Sequence, residues 1–170
     1  MKNKGYDQRE VGEDGTVYYY NAEGQRHREG GPAVIRSGGG KEWYRDGKLH
    51  REDGPAVERA NGTKVWWVNG APHRLDGPAI EKPDGYRAWY RNGKCHREDG
   101  PAIERANGSK EWHRNGELHR EDGPAVVWAD GSKEYWLSGT QLTEEAFRTL
   151  HPEAFTSPDE EEERTPSLGH

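Results

Sequence analysis

The chain has 170 residues, enough for one compact domain or one short array. Hydrophobic residues make up 29%, charged residues 33%, and mean hydropathy is −1.30, which argues against a thick two-layer apolar core. The net charge of −6 is concentrated at one end: residues 151–170 carry six acids against the single base Arg164, so residues 1–150 are close to neutral and offer no basic stripe for phosphates.

Seven Trp and eight Tyr argue against disorder and point to a thin fold with a largely aromatic core. The single cysteine, Cys95, permits no intrachain disulfide and fits a reducing compartment. Met1 to Tyr6 lead into no apolar stretch, so no signal peptide is expected. No run approaches the roughly 20 apolar residues that span a bilayer. The expectation is a soluble, cytoplasmic protein without membrane insertion or nucleic-acid binding.

In chain order, residues 1–14 form a lead-in and an array begins near Gly15, with a degenerate unit ending in Tyr20 and Gly24. The segment His50-Arg51-Glu52-Asp53-Gly54-Pro55-Ala56 recurs in the same register from His73, His96 and His119, and a variant begins at His27. The histidines lie 23 residues apart, the signature of a repeat architecture. Each Pro-Ala is followed by an apolar position (Val34, Val57, Ile80, Ile103, Val126) and then a turn pair such as Asn61-Gly62. An aromatic strand comes next. Its first ring position is Trp43, Trp66, Trp89, Trp112 and Tyr135; its second is Tyr44, Trp67, Tyr90, His113 and Trp136. A second turn pair follows, ahead of the next His: Asp46-Gly47, Asn69-Gly70, Asn92-Gly93, Asn115-Gly116.

Asn-Gly and Asp-Gly between β-prone residues predict type I′ hairpin turns, in which both central residues take positive φ. A two-residue loop at Asn61-Gly62 sets Val57 opposite Trp66, an aromatic to β-branched pair that stabilises a sheet. The second turn sets Trp66 opposite His73 if the strand continues. Asp-Gly-Pro suits a bend, because proline donates no ladder hydrogen bond.

The fold class expected is all-β: tandem hairpins in an elongated, twisted antiparallel sheet, with a three-sided β-solenoid as the alternative. A solenoid would stack like charges such as Arg51 and Arg74 at about 4.7 Å, whereas successive hairpins separate them by about 10 Å and let opposite charges interleave. Thr143 as N-cap, followed by Glu144 and Glu145, predicts a capping helix within 142–155, with Leu142, Phe147 and Leu150 packing on the last hairpin. Residues 156–170 read as an acidic, disordered tail.

The repeated polar residues read as structure, not as chemistry. His27, His50, His73, His96 and His119, with Asp53, Asp76, Asp99 and Asp122, are copied from unit to unit, whereas a catalytic site is singular and a zinc site needs four converging ligands. No enzyme activity, metal or cofactor is expected. The histidines should pack or hydrogen-bond beside a Trp, and the aspartates organise the bend. Cys95 occupies a slot held elsewhere by Leu49, Pro72 and Leu118, which implies a buried, inert thiol. Adjacent ring positions must point to opposite faces. The first ladder (Trp43, Trp66, Trp89, Trp112), with Val57 and Ile80, is the expected core. The second (Tyr44, Trp67, Tyr90, His113, Trp136) is either covered by proline and loop residues or exposed, and exposed it is the candidate partner-binding stripe.

The pattern Trp-x-x-x-Gly-x-x-His resembles the MORN repeat. Trp66, Gly70, His73 and Gly77 match that family's positions, as do Trp43, Gly47, His50 and Gly54, then Trp89, Gly93, His96 and Gly100, and Trp112, Gly116, His119 and Gly123. The resemblance covers about residues 15–141 and implies a hairpin stacked along an elongated sheet. It departs from the family pattern in carrying His-Arg-x-Asp-Gly-Pro-Ala and in a Lys-x-Trp lead, which look like the variant form of bacterial and phage proteins, including antitoxin-like ones. The implied function is a non-enzymatic protein-binding or scaffolding module, bacterial or phage antitoxin-like, host-factor-binding or virion-associated, whose partner is another protein or the chain itself. Carbohydrate binding by an aromatic ladder is the alternative.

Overall fold

The computed structural model describes residues 8–155; the expected acidic tail lies outside the described residues. Thirteen short strands form one antiparallel sheet that adds strands in chain order. It opens with Gln8–Val11 and Val17–Tyr20 and closes with Lys133–Leu137 and Thr140–Leu142. Between them, each unit contributes one hairpin, such as Val57–Glu58 with Lys64–Val65, then Ile80–Glu81 with Arg87–Ala88. Consecutive units also pair antiparallel, Ile80 opposite Val65. A solenoid would pair successive coils in parallel, so the hairpin array is the architecture present. The sheet begins within the expected lead-in, at Gln8.

Each unit also forms a second, smaller hairpin outside the large sheet: Tyr44–Arg45 with Lys48–Leu49, Trp67–Val68 with Ala71–Pro72, Tyr90–Arg91 with Lys94–Cys95, and His113–Arg114 with Glu117–Leu118. The two hairpins use different turns. At the second turn both residues take positive φ, as in Asn69 (52°) and Gly70 (80°), which is the expected type I′ geometry. At the first turn only the glycine does: Gly62 has φ 84° and Asn61 is not left-handed. There Gly62 N–H donates to Arg59 O, Arg59 N–H to Thr63 O, and Thr63 N–H to Asn61 Oδ1. This is a three-residue loop, a type I turn ending in a glycine bulge, tied by an Asn side chain. The loop is one residue longer than expected. Val57 therefore faces Val65, not Trp66, and Glu58 faces Lys64.

The shifted register decides the core. Val57 and Val65 are buried, as are Ala88 and Ile103. Residues two apart share a face, so Trp67 and Tyr90 follow Val65 and Ala88, while Trp66 and Trp89 point the other way. Tyr90 packs against the cluster of Ala88, Cys95, Ala102 and Ile103. The core is thus built from small aliphatics with the second ring position behind them. The motif alanines Ala33, Ala56, Ala79, Ala102 and Ala125 have no exposed surface at all. The expected core ladder of Trp43, Trp66, Trp89 and Trp112 is only half-buried and lies on the opposite face.

On that face, opposite charges alternate across the sheet: Lys41, Glu58, Lys64, Glu81, Arg87, Glu104 and Lys110 are successive cross-strand partners. Each contact of this kind contributes a few tenths of a kcal/mol, roughly 0.2–1.

After Leu142 the helix Glu144–Leu150 forms, with Thr143 Oγ1 accepting the Ala146 N–H at 3.1 Å. Pro152–Phe155 adds a 3₁₀ turn. Phe147 is fully buried, its ring 4.9 Å from that of Tyr135. Leu142 sits in the last strand opposite Tyr135, and Leu150 is 60% exposed, so the helix packs through Phe147 without Leu150.

Candidate functional site: the bend face of the array

Trp66 sits where its strand leaves the large sheet for the small hairpin. Its backbone N–H donates to Ala79 O, beyond the bend, and its C=O accepts the His73 N–H, as the second turn predicts. Trp43, Trp89 and Trp112 do the same with Ala56 and His50, Ala102 and His96, Ala125 and His119. This backbone frame sets one indole of each unit against the bend that follows it.

The bend closes on its own arginine. Arg51 lies over the Trp43 ring at 4.1 Å, donates from Nε to Asp53 at 2.8 Å and from Nη1 to Pro55 O at 3.2 Å. Arg74, Arg97 and Arg120 repeat the stack on Trp66, Trp89 and Trp112 at 4.0–4.1 Å, and Arg28 does so on Tyr19 at 3.9 Å. The glycine of Asp-Gly-Pro is required by this stack. A Cβ on Gly54 would stand 2.9 Å from the Arg51 Cζ, and one on Gly77 3.0 Å from the Arg74 Cζ. The aspartates are peripheral, 80–85% exposed, and act by holding the guanidinium. The arginine hydrogen bond holds the Asp53, Asp76, Asp99 and Asp122 carboxyls below the usual range.

The histidines join neighbouring units. The Asn69 N–H donates to His50 Nδ1 at 3.1 Å, and the same bond links His27 to Asp46, His73 to Asn92, His96 to Asn115 and His119 to Ser138 at 3.0–3.1 Å. In three units the other ring nitrogen faces the bend glutamate: His50 to Glu52 at 3.1 Å, His96 to Glu98 at 3.3 Å and His119 to Glu121 at 3.2 Å. Each histidine is thus a clamp on the next unit's tight turn. Among the described residues no three of His, Cys, Asp and Glu are grouped to hold a metal ion, and no helix is long and apolar enough to cross a membrane.

The second ring ladder is not an open stripe. Tyr44, Trp67, Tyr90, His113 and Trp136 are all half-buried. Burial raises the Tyr90 phenol, and His113 Nε2 pairs with Glu111 at 3.0 Å. Burial of Glu111 opposes its ionisation, yet hydrogen bonds from His113 and Arg105 leave its carboxyl below the usual range. Burial also pushes the Cys95 thiol up to about 12, the environment of a structural cysteine.

Four open grooves run along the bend face, one between each pair of successive bends, with volumes of about 610, 690, 680 and 750 Å³. Each has a Trp at its base and bend acids at its rim. Ring-position reasoning on the sequence missed this face. Its signal was the recurrence of Arg one residue after each His, whose guanidinium lies over Trp43, Trp66, Trp89 or Trp112, and over Tyr19 in the first unit. No protein-family model matches the chain, and no curated protein matches it.

Proposed function

We propose that the chain is a non-enzymatic protein-binding or scaffolding module, as its resemblance to MORN repeats suggests, and that it works through the bend face. The observation that carries this reading is the row of four equivalent grooves, each with a Trp–Arg stack at its base and exposed carboxylates at its rim. Large rigid aromatics and arginine set among polar groups are what protein interfaces enrich. A surface copied from unit to unit suits a long partner or an assembly better than a single small substrate. Carbohydrate stacking needs a free ring face. One face of each of these indoles carries a guanidinium, and Tyr90 lies against the core, so the protein-binding reading is preferred.

The test is quantitative capture from a native lysate by the immobilised chain and by a triple variant, Asp53→Asn, Asp76→Asn and Asp99→Asn. Specific retained proteins should be depleted by the variant. An identical retained set would overturn the assignment of function to this face.

A further inference from the structure

Among the four bends of the form His-Arg-x-Asp-Gly-Pro-Ala, one differs in a coordinated respect. In three units an arginine of the small hairpin reaches the bend glutamate: Arg45 to Glu52, Arg91 to Glu98 and Arg114 to Glu121, each at 3.5 Å. In the unit of His73 both partners are replaced together. Val68 stands at the arginine position and Leu75 at the glutamate position. Replacing one would have left an unpaired charge; replacing both turns a charged rim into an apolar one. Leu75 is 72% exposed, so burial within the chain does not account for it. Val68, Leu75 and Trp66 line the same groove.

The surroundings of this notch are charged in layers. The stacked arginines Arg51, Arg74 and Arg97 are only 21–22% exposed, whereas Glu52 is 71% and Asp53, Asp76 and Asp99 are 84–85% exposed. A partner approaching the face meets carboxylates first and the apolar notch between them. Equivalent groups recur every two strands, about 10 Å, close to the rise of three residues of polyproline-II chain (about 9.3 Å), whose side chains return to one face every third residue.

We propose that the Val68–Leu75 notch anchors a polyproline-II segment of a partner protein carrying a large apolar side chain with a lysine or arginine three residues to either side, on the same face of the segment. This rests on the protein-binding reading of the bend face and names the chemistry of its partner. The apolar side chain covers Leu75 and Val68 beside Trp66, and the flanking cations meet the carboxylates of the bends before and after.

The probe is a fluorescein-labelled peptide, Gly-Lys-Ser-Thr-Leu-Ser-Thr-Lys-Gly, titrated with the full chain by anisotropy. It should bind at least tenfold more tightly than the same peptide with Leu replaced by Ser, or with the lysines moved to two residues either side of Leu. V68R/L75E installs the pair the other units carry and should lose the binding while melting as the wild type does. Leu75→Ser, at an exposed site, should weaken it as well. Absence of binding, equal binding of the two lysine spacings, or full binding by V68R/L75E would overturn the proposal. So would sedimentation of the wild type as a dimer that V68R/L75E separates, which would make the occupant a second copy. Lysate partners retained equally by V68R/L75E but lost by the triple Asp→Asn variant would remove this anchor and leave the protein-binding function standing.

Discussion

His50 Nδ1 accepts the backbone N–H of Asn69, nineteen residues on, at 3.1 Å. This one bond ties the bend of one unit to the tight turn of the next, and it recurs along the array. In a repeat protein, stability is close to a sum of unit and nearest-neighbour terms. The clamp belongs to the neighbour term. His73→Ala leaves the Asn92 N–H without its acceptor, and the expected loss is about 1 kcal/mol in urea unfolding. An accepting Nδ1 also fixes the tautomer with hydrogen on Nε2. Nitrogen NMR of the histidines at neutral pH should show an unprotonated Nδ1 at His73, His96 and His119; protonated Nδ1 there would contradict the clamp.

The stack of Arg74 on Trp66 has a steric partner in Gly77. Arg74→Lys keeps the charge but loses the planar contact and the fork to Asp76 and the Pro78 carbonyl. It should cost on the order of 1 kcal/mol. Gly77→Ala should act on the same contact, pressing on the guanidinium from the other side. Combining the two should cost less than their sum, because the second change strikes a stack already lost. Additive losses in denaturant unfolding would separate the glycine from the arginine.

The bend aspartates set the acid limit. Asp53, Asp76, Asp99 and Asp122 have carboxyls held below their ordinary value, first by the side-chain hydrogen bond from Arg51, Arg74, Arg97 and Arg120. A depressed folded-state value means that the folded form binds protons less readily than the unfolded form. The contribution is therefore complete above the ordinary value of 3.8 and is lost as pH falls through the lowered folded values. The melting temperature should fall steeply below pH 4. The triple Asp→Asn variant should show a shallower fall over the same range.

Cys95 lies in the cluster with Ala88, Ala102 and Ile103, its thiol pushed up to about 12. At pH 8 a disulfide reagent should label it slowly in the folded chain and rapidly in urea. Labelling at equal rates would show that the cluster is open.

How much of this was legible in the sequence depends on how local the cause is. The hairpin array, the Thr143 cap and the pairing of Trp66 with His73 follow from short-range turn and capping chemistry. The choice of face did not follow. It hangs on one residue of loop length: Asn61-Gly62 and Asn69-Gly70 are the same dipeptide, yet only the second is a type I′ turn. One step of register moves the side chains to the other side of the sheet. The Trp ladder was therefore assigned to the core, whereas both ladders are half-buried and it is Tyr90 of the second that packs against the small aliphatic cluster. The 23-residue recurrence marks Arg51, Gly54 and His50, but not what they touch: the stack of Arg51 on Trp43 and the bond from Asn69 to His50 join residues distant in sequence.

The two Asn-Gly turns yield the sharpest test of that distinction. Asn92 has φ 50°, a left-handed conformation that Asn tolerates better than other non-glycine residues. Asn92→Ala should cost about 1 kcal/mol from backbone strain alone, and Asn92→Gly should cost little or stabilise. At the first turn the order changes. Asn107 is not left-handed, and its Oδ1 accepts the Ser109 N–H at 3.0 Å. Asn107→Ala loses that bond, whereas Asn107→Asp keeps it and should be close to neutral. Asn107→Gly, unlike Asn92→Gly, should destabilise, since it loses the side-chain acceptor and adds freedom to the unfolded chain. Urea unfolding of the four alanine and glycine variants measures this directly: a clear loss for glycine at 107 with little loss or a gain at 92 is the expected result, and equal losses at both would mean that the two turns share one geometry.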